Sequence, residues 1–373
     1  MGQPRRGKNI SMVKKDKNKK KAAAPVEYTL DELLTKTQEL MDDNNYEAAL
    51  QSVAKAIELD ECNTQALLLA AIIQLESGEM DPALNCLMRC VEISPDRGFE
   101  KYMYLGQFAI ELEAVKYFQL GVDAMQRDLN ELPGNSEQSI ILRRKMAEAY
   151  VAMTEIYLTD CCFEEDAEQK CEQLLQQGVA IDPECPEVYQ TMASVRLSQD
   201  RQEDARECVT KSMSLWADKD LNDPTQIPSY ENRLALVRLL LELDDKERTL
   251  ALLERLQKED DENIDMWYLY GWTYYLQSEE PSAGAEEKVE LLSSARECFK
   301  QAIKLAAIFE FENDGLIDHA RELVATIDLV VPSSADDENI DNDQDPVAGA
   351  NGAEEWDDIV SENEDDDDVE MGA

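Results

Sequence analysis

Basic residues are scarce in this sequence. In 373 residues, 36 Lys and Arg stand against 81 Asp and Glu, a formal net charge of −45 at pH 7. A body this acidic repels the phosphates of DNA and RNA, so no direct nucleic-acid binding by the folded part is expected; its field attracts basic proteins instead. Histidine is nearly absent. His319 is the only one, so triad or imidazole acid–base chemistry would rest on it alone, and in Asp318-His319-Ala320-Arg321 it reads as an ordinary surface or boundary histidine. No G-x-x-x-x-G-K or G-x-G-x-x-G phosphate loop occurs. No apolar run approaches the roughly 18 residues of a membrane helix, and none follows the basic N-terminus as in a secretory signal. Arg6 stands where myristoylation prefers Ser or Thr. The nine cysteines are odd in number and form no C-x2-C pair, so they read as free thiols of a reducing compartment, mostly packed in the core, rather than as zinc ligands. No catalytic residue, metal or cofactor is expected, and the chain does not read as an enzyme.

Apolar residues are in ordinary supply, at 43%, enough to build a core. The length fits two or three domains or one elongated array. Charge is segregated along the chain. Residues 1–21 hold nine basic residues and one acid, Asp16; from Ser334 to Ala373 there are seventeen acids and no Lys or Arg, and the remainder carries −36. This composition predicts a disordered basic arm over 1–26, a folded body over 27–332 and a disordered acidic tail over 333–373. Lys14, Lys15, Lys17, Lys19, Lys20 and Lys21 form a candidate nuclear import signal or weak RNA contact; a solubilising arm explains them equally well. Trp356 is an unusual residue in so acidic a tail and a candidate anchor.

From Tyr28 onward the apolar residues recur at three and four, and Gly and Pro fall between segments, so the pattern is helical throughout. Pairs of helices repeat. Ala49, Val53 and Ala56 are followed, thirty-four residues on, by Ala83, Leu87 and Cys90. Cys171, Leu175 and Gly178 are followed by Ala205, Val209 and Ser212 at the same interval. A helix-turn-helix period of about 34 is the tetratricopeptide signature: small residues let two antiparallel helices touch, and the larger residue beside them fills the gap. The segment Trp267-Tyr268-Leu269-Tyr270-Gly271-Trp272-Thr273-Tyr274 fits W-x2-L-G-x2-Y with Tyr for Leu, its second helix delayed by an insertion at 279–290. Leu105-Gly106 with Phe118 and Gly121 gives a degenerate unit with a shortened turn, and Leu236 to Leu256 another. The reading is an all-α tetratricopeptide-repeat superhelical solenoid of seven helix pairs, about 29–62, 64–97, 99–128, 140–184, 186–219, 230–263 and 264–306, with Gly315 to Val331 as a capping helix.

Some such arrays hold the acidic tails of heat-shock chaperones with Lys and Asn on successive first helices. Here those places carry Leu34 and Gln38, then Leu68 and Ile72, so that clamp is missing. The thirteenth repeat position is acidic in four units instead: Asp42, Glu76, Glu111 and Glu242. Acids at the end of a helix oppose its dipole, so stability does not account for them. They form a candidate ladder along a concave groove, with solvated helix ends as the alternative. Tyr268, Trp272 and Tyr275 are spaced to face outward from the last first-helix and to stack on Arg side chains, with core packing an equal alternative for Trp272, whereas Trp267 and Tyr274 match packing positions of the signature.

The lysine-rich head, Tyr28-Thr29-Leu30-Asp31-Glu32-Leu33-Leu34, Ile181-Asp182-Pro183-Glu184-Cys185-Pro186-Glu187, Trp267-Tyr268-Leu269-Tyr270-Gly271-Trp272 and the acidic tail stand in an order that resembles the dedicated assembly chaperones of large-subunit ribosomal protein L-four, over roughly 27–373. The resemblance implies a superhelical tetratricopeptide protein that holds the long internal loop of newly made L-four until it joins the pre-60S ribosome in the nucleus, working in both cytoplasm and nucleus. The residues alone leave two other classes open: a chaperone of another basic client such as histones, or a scaffold joining proteins in a larger complex.

Overall fold

The computed structural model describes residues 28–331, except 135, 220–222, 224–225, 310 and 312. The basic arm with its candidate import lysines, the acidic tail and Trp356 lie outside the described residues. Among the described residues fifteen α-helices occur and no strand. In chain order they are α1 (Leu30–Asp42), α2 (Tyr46–Leu59), α3 (Thr64–Glu76), α4 (Met80–Ile93), α5 (Glu100–Phe108), α6 (Glu111–Glu131), α7 (Glu137–Leu158), α8 (Ala167–Ile181), α9 (Pro186–Ser198), α10 (Gln202–Ser214), α11 (Tyr230–Glu242), α12 (Lys246–Glu259), α13 (Ile264–Ser278), α14 (Ala285–Ile308) and α15 (Asp314–Asp328). That is seven pairs and a final helix. The helix starts follow local chemistry: Asn45, Asn63, Ser136, Ser229, Asn263 and Asn313 each cap a helix by accepting a backbone N–H. Thr29 and Glu32 form a reciprocal capping box on α1. No helix among the described residues is long and apolar enough to cross a membrane.

The fold divides between Leu252 and Leu253, inside α12, into two compact units. In the first unit the repeat register sits in the core. Ala49, Val53, Ala56, Ala83 and Leu87 have no exposed surface, and Cys90, Cys171, Leu175, Ala205 and Val209 almost none. Within a pair, the first helix packs along the second (α1 on α2, α3 on α4, α5 on α6, α7 on α8, α9 on α10). First helices also pack on one another across repeats: α1 on α3, α7 on α9 and α9 on α11. They therefore share one face of the stack.

The turns inside the pairs are built alike. Asn44, Gly78, Asp200 and Asp244 all have positive φ, between 55° and 76°, and each stands two residues past a first helix. At each, the next residue donates its N–H five residues back, Asn45 to Leu40, Glu79 to Gln74, Arg201 to Arg196 and Asp245 to Leu240, at 2.7–2.9 Å. This is the Schellman arrangement, which satisfies carbonyls that the helix end leaves open. The third pair departs from it. There α5 has only nine residues, and Ala109 and Ile110 in extended conformation lead directly into α6. The expected shortened turn is present, and it is two residues long.

In the second unit Gly271 of α13 meets Phe299 of α14, and Ala320, Leu323 and Ile327 of α15 close the cluster with Leu292, Ala295 and Phe299. The insertion at 279–290 is only half a loop. From Ala285 it is the first turn of α14, which Glu287 starts by accepting the N–H of Gly284 at 3.3 Å.

Candidate functional site

The face shared by the first helices carries two clefts in the first unit. One, of about 420 Å³, lies between α3 and α5, lined by Gln65, Leu68, Leu69, Glu100 and Lys101, and reaches Cys90 of α4 and the loop at Ser94 and Arg97. The next, of about 370 Å³, lies between α5 and α7 over Phe99, Met103, Tyr104, Phe118, Ala149 and Ala152, with Glu100 and Glu148 among its polar residues. Glu100 belongs to both. Leu68, an inner position of the second repeat, is thus placed in a cleft.

The cations here are already engaged. Arg97 donates to Asp128 and Glu131 on α6. Lys101, almost fully buried, turns its Nζ to the carbonyls of Arg97 and Gly98, and burial holds its ammonium below the usual lysine range. Lys145 lies over the ring of Phe99, 6.0 Å from its centroid.

Two acids that the repeat register does not mark are shifted upward. Glu148 and Glu155 stand seven apart on α7, hence on one side of it, and both are reached by solvent. Desolvation by the surrounding chain nevertheless pushes both carboxyls above the ordinary range; at Glu148 the neighbouring charge of Glu187 adds to the effect and Lys145 opposes it. Of the two, Glu148 lines the cleft between α5 and α7. The Tyr104 phenol is also pushed up, by burial first and then by Glu76 and Glu100.

Of the four ladder acids, Asp42, Glu76 and Glu242 are each the last residue of a first helix, just before its Schellman turn. Glu76 acts on Tyr104 and so reaches the cleft region. Glu111 is not at that position. Because α5 stops at Phe108, Glu111 is the first residue of α6, with φ 51°, and its charge acts on Cys161 instead. Three of the four candidate acids thus share one repeat position, on α1, α3 and α11.

In the second unit Tyr268, Trp272 and Tyr275 do lie along one side of α13, but they are half-buried rather than free. Trp272 and Tyr275 stack with centroids 5.6 Å apart. Tyr268 shares a hydrogen bond of 2.7 Å with Nδ1 of His319 on α15, and the imidazole packs 5.6 Å from Trp272. The outward-facing reading of these three is corrected by α15, which covers much of the stripe. Trp267 and Tyr274, expected in the core, are both partly buried against it: Trp267 donates its indole N–H to the Asp261 carbonyl at 2.7 Å, and Tyr274 stacks on Tyr270 at 5.2 Å.

The acids of α7 carried no repeat signal, because α7 is twenty-two residues long and neither acid falls on a position that the other units repeat. Their i, i+7 spacing was the only trace of them in the sequence. The nine cysteines are free thiols.

The fold and its small-residue register define a tetratricopeptide-repeat protein, and the tetratricopeptide repeat family matches residues 64–97, the second helix pair. Two curated proteins named "Probable assembly chaperone of rpl4" are similar over most of the length. The one from Emericella nidulans is 32% identical over 360 residues, 89% of either chain. The one from Schizosaccharomyces pombe is 30% identical over 317 residues, 83% of this chain and 93% of that one. Among solved structures, "Assembly Chaperone of RpL4 (Acl4) (Residues 1-338)" superposes with a TM-score of 0.63 at 34% identity, covering 68% of this chain and 98% of that one. The chain belongs to the family of these assembly chaperones.

Proposed function

We propose that this protein is a dedicated chaperone of ribosomal protein L-four. It binds the basic extended loop of the newly made protein, keeps it soluble, and delivers it to the pre-60S ribosome in the nucleus, moving between cytoplasm and nucleus. The observation that carries the reading is the family membership over 89% of the chain, and the charge gives it a mechanism. A ribosomal protein extension is long, cationic and unfolded without its RNA. A body of net charge −36 attracts it, neutralises it and shields it from the wrong RNA. Binding, not catalysis, is the activity, and release needs no ATP, because ribosomal RNA offers a denser negative charge once the globular part of the client has docked. The folded body makes no direct contact with nucleic acid, and contact with the pre-ribosome is transient.

Purification of the tagged chain from cell extract tests this. Stoichiometric recovery of L-four, declining as salt is raised, is the expected result; histones, or several non-basic proteins in place of L-four, would overturn it. Localisation of a chain lacking Lys14 to Lys21 tests the import role of the arm. Two sets of charge reversals then locate the groove: Asp42, Glu76, Glu111 and Glu242 to Lys in one variant, Glu148 and Glu155 to Lys in the other. Exposed ion pairs contribute only about 0–1 kcal/mol each, so single reversals weaken binding slightly and combined ones strongly. The set that abolishes binding in a folded protein marks the path of the client.

A further inference from the structure

We infer that the cleft between α5 and α7 is an anchor pocket for one large apolar side chain, such as leucine or phenylalanine, carried by the basic segment that the acidic face attracts. The inference rests on the reading of the chain as a binder of a basic segment and adds what that segment must contain besides charge.

Charge alone would need only a solvated acidic surface. This face has more. The cleft encloses about 370 Å³, toward the lower end of the roughly 300–1,000 Å³ of ligand pockets. Its lining divides chemically. Phe99, Met103 and Phe118 supply an apolar floor, and Ala149 and Ala152 of α7 leave room above it. On the same helix Tyr150 and Met153 are large, and both are turned into the core. Both apolar residues that α7 gives to the cleft are thus alanines.

The polar residues of the cleft identify the chain that would enter. Glu100 and Glu148 belong to it, and Glu155 follows two turns along α7. Crowding without pairing leaves Glu148 and Glu155 above the usual carboxylate range, so a cation placed beside them gains what the free protein lacks. Lys145, over the Phe99 ring, occupies a position that an incoming Arg can take, since that lysine is exposed and its stem is flexible. An acidic segment would meet these carboxylates, and a neutral one would leave them crowded. The second cleft, beyond Glu100 toward α3, continues the pattern of apolar space next to a carboxylate, so an extended chain crossing α5 passes a cleft on each side of Glu100.

The test uses the full chain and two labelled synthetic peptides of fifteen residues. Both are rich in Arg and Lys and differ only at the centre, Leu in one and Ser in the other; fluorescence anisotropy gives their affinities at low and moderate salt. The Leu peptide is expected to bind about tenfold more tightly, and the ratio to persist as salt weakens both. Ala152→Trp, which fills the cleft, should bring the ratio to near one while leaving the Ser peptide unaffected. Ala152→Leu is the smaller filler should the first variant melt early, with circular dichroism as the control of folding. Equal affinity of the two peptides for the parent chain, or an unchanged ratio in a folded filled variant, would overturn the pocket. Neither peptide is a piece of L-four, so the outcome is separate from the client's identity. Recovery of L-four by a filled variant as efficiently as by the parent would sink the pocket and leave the proposed function standing. Failure of the parent to recover L-four, with the peptide ratio intact, would do the reverse.

Discussion

The ring of Phe299 lies so close to Gly271 that a Cβ on the glycine would stand 2.9 Å from two ring carbons and 3.1 Å from the carbonyl oxygen of Ala295. Gly106 stands in the same relation to Phe118 four pairs earlier in the chain, at 2.9 Å from three ring carbons. In both, the second helix of a pair presses a phenyl ring onto the backbone of the first. Phe299 has no exposed surface, so the ring cannot swing away. Gly271→Ala is therefore expected to cost about 1–3 kcal/mol through overpacking, measured by urea unfolding. Gly134→Ala, where nothing lies within 4 Å, should stay within about 0.5 kcal/mol of the parent.

Ala49 and Ala83 test the same packing from the other helix. Both are fully buried at equivalent places in the first two pairs. Replacing either with Leu should cost about 1–3 kcal/mol and lower the melting temperature. An unchanged melting temperature in both would show that the pairs do not close at these alanines.

The repeated turns make a prediction of the opposite sign. Asp200 is exposed and holds φ 57°, a region that costs a side chain about 1–2 kcal/mol, while glycine loses about 0.4–1 kcal/mol through the freedom of its unfolded chain. Asp200→Gly is thus expected to stabilise the first unit slightly, by about 0.5–1 kcal/mol. Gly78→Ala, at φ 76° with open space around it, should destabilise instead, through strain alone. Chemical denaturation of the two variants side by side checks the pair of signs.

Glu148 and Glu155 couple binding to stability. A carboxyl held above its ordinary range keeps its proton in the folded protein at pH values where the unfolded chain has lost it. Stability therefore falls as pH rises through that window and is regained in acid. Glu148→Gln and Glu155→Gln should melt at higher temperature than the parent at pH 7. The gain should shrink as pH approaches the ordinary glutamate value of about 4.3, and the same variants should hold basic peptides less well. A scan of melting temperature against pH, with peptide affinity measured alongside, checks both halves.

Fold class was legible because the packing that makes a tetratricopeptide pair is local and periodic. Ala49 to Ala83 and Cys171 to Ala205 expose the period directly, and every expected pair has its two helices. Site residues were harder to read, since they depend on what stands across from a helix rather than on its own register. Glu111 shows one cause: a nine-residue α5 breaks the count, and the thirteenth position falls on the next helix. Tyr268 and Trp272 show another. Their spacing along α13 was right, but only the position of α15 reveals that His319 covers them. Glu148 leaves only its spacing to Glu155 in the sequence, because its state is set by crowding from neighbouring helices and by the charge of Glu187.

The contact between His319 and the aromatic side of α13 also gives the second unit a built-in reporter. A chain with one imidazole has one set of histidine ring signals in its proton spectrum, with no labelling or assignment needed. Here that ring is tilted against Trp272 and tied to Tyr268, so ring currents displace its signals for as long as α15 stays docked. Undocking of the last helix, on heating or on binding a partner along α13, is visible as the return of a single resonance to its free position.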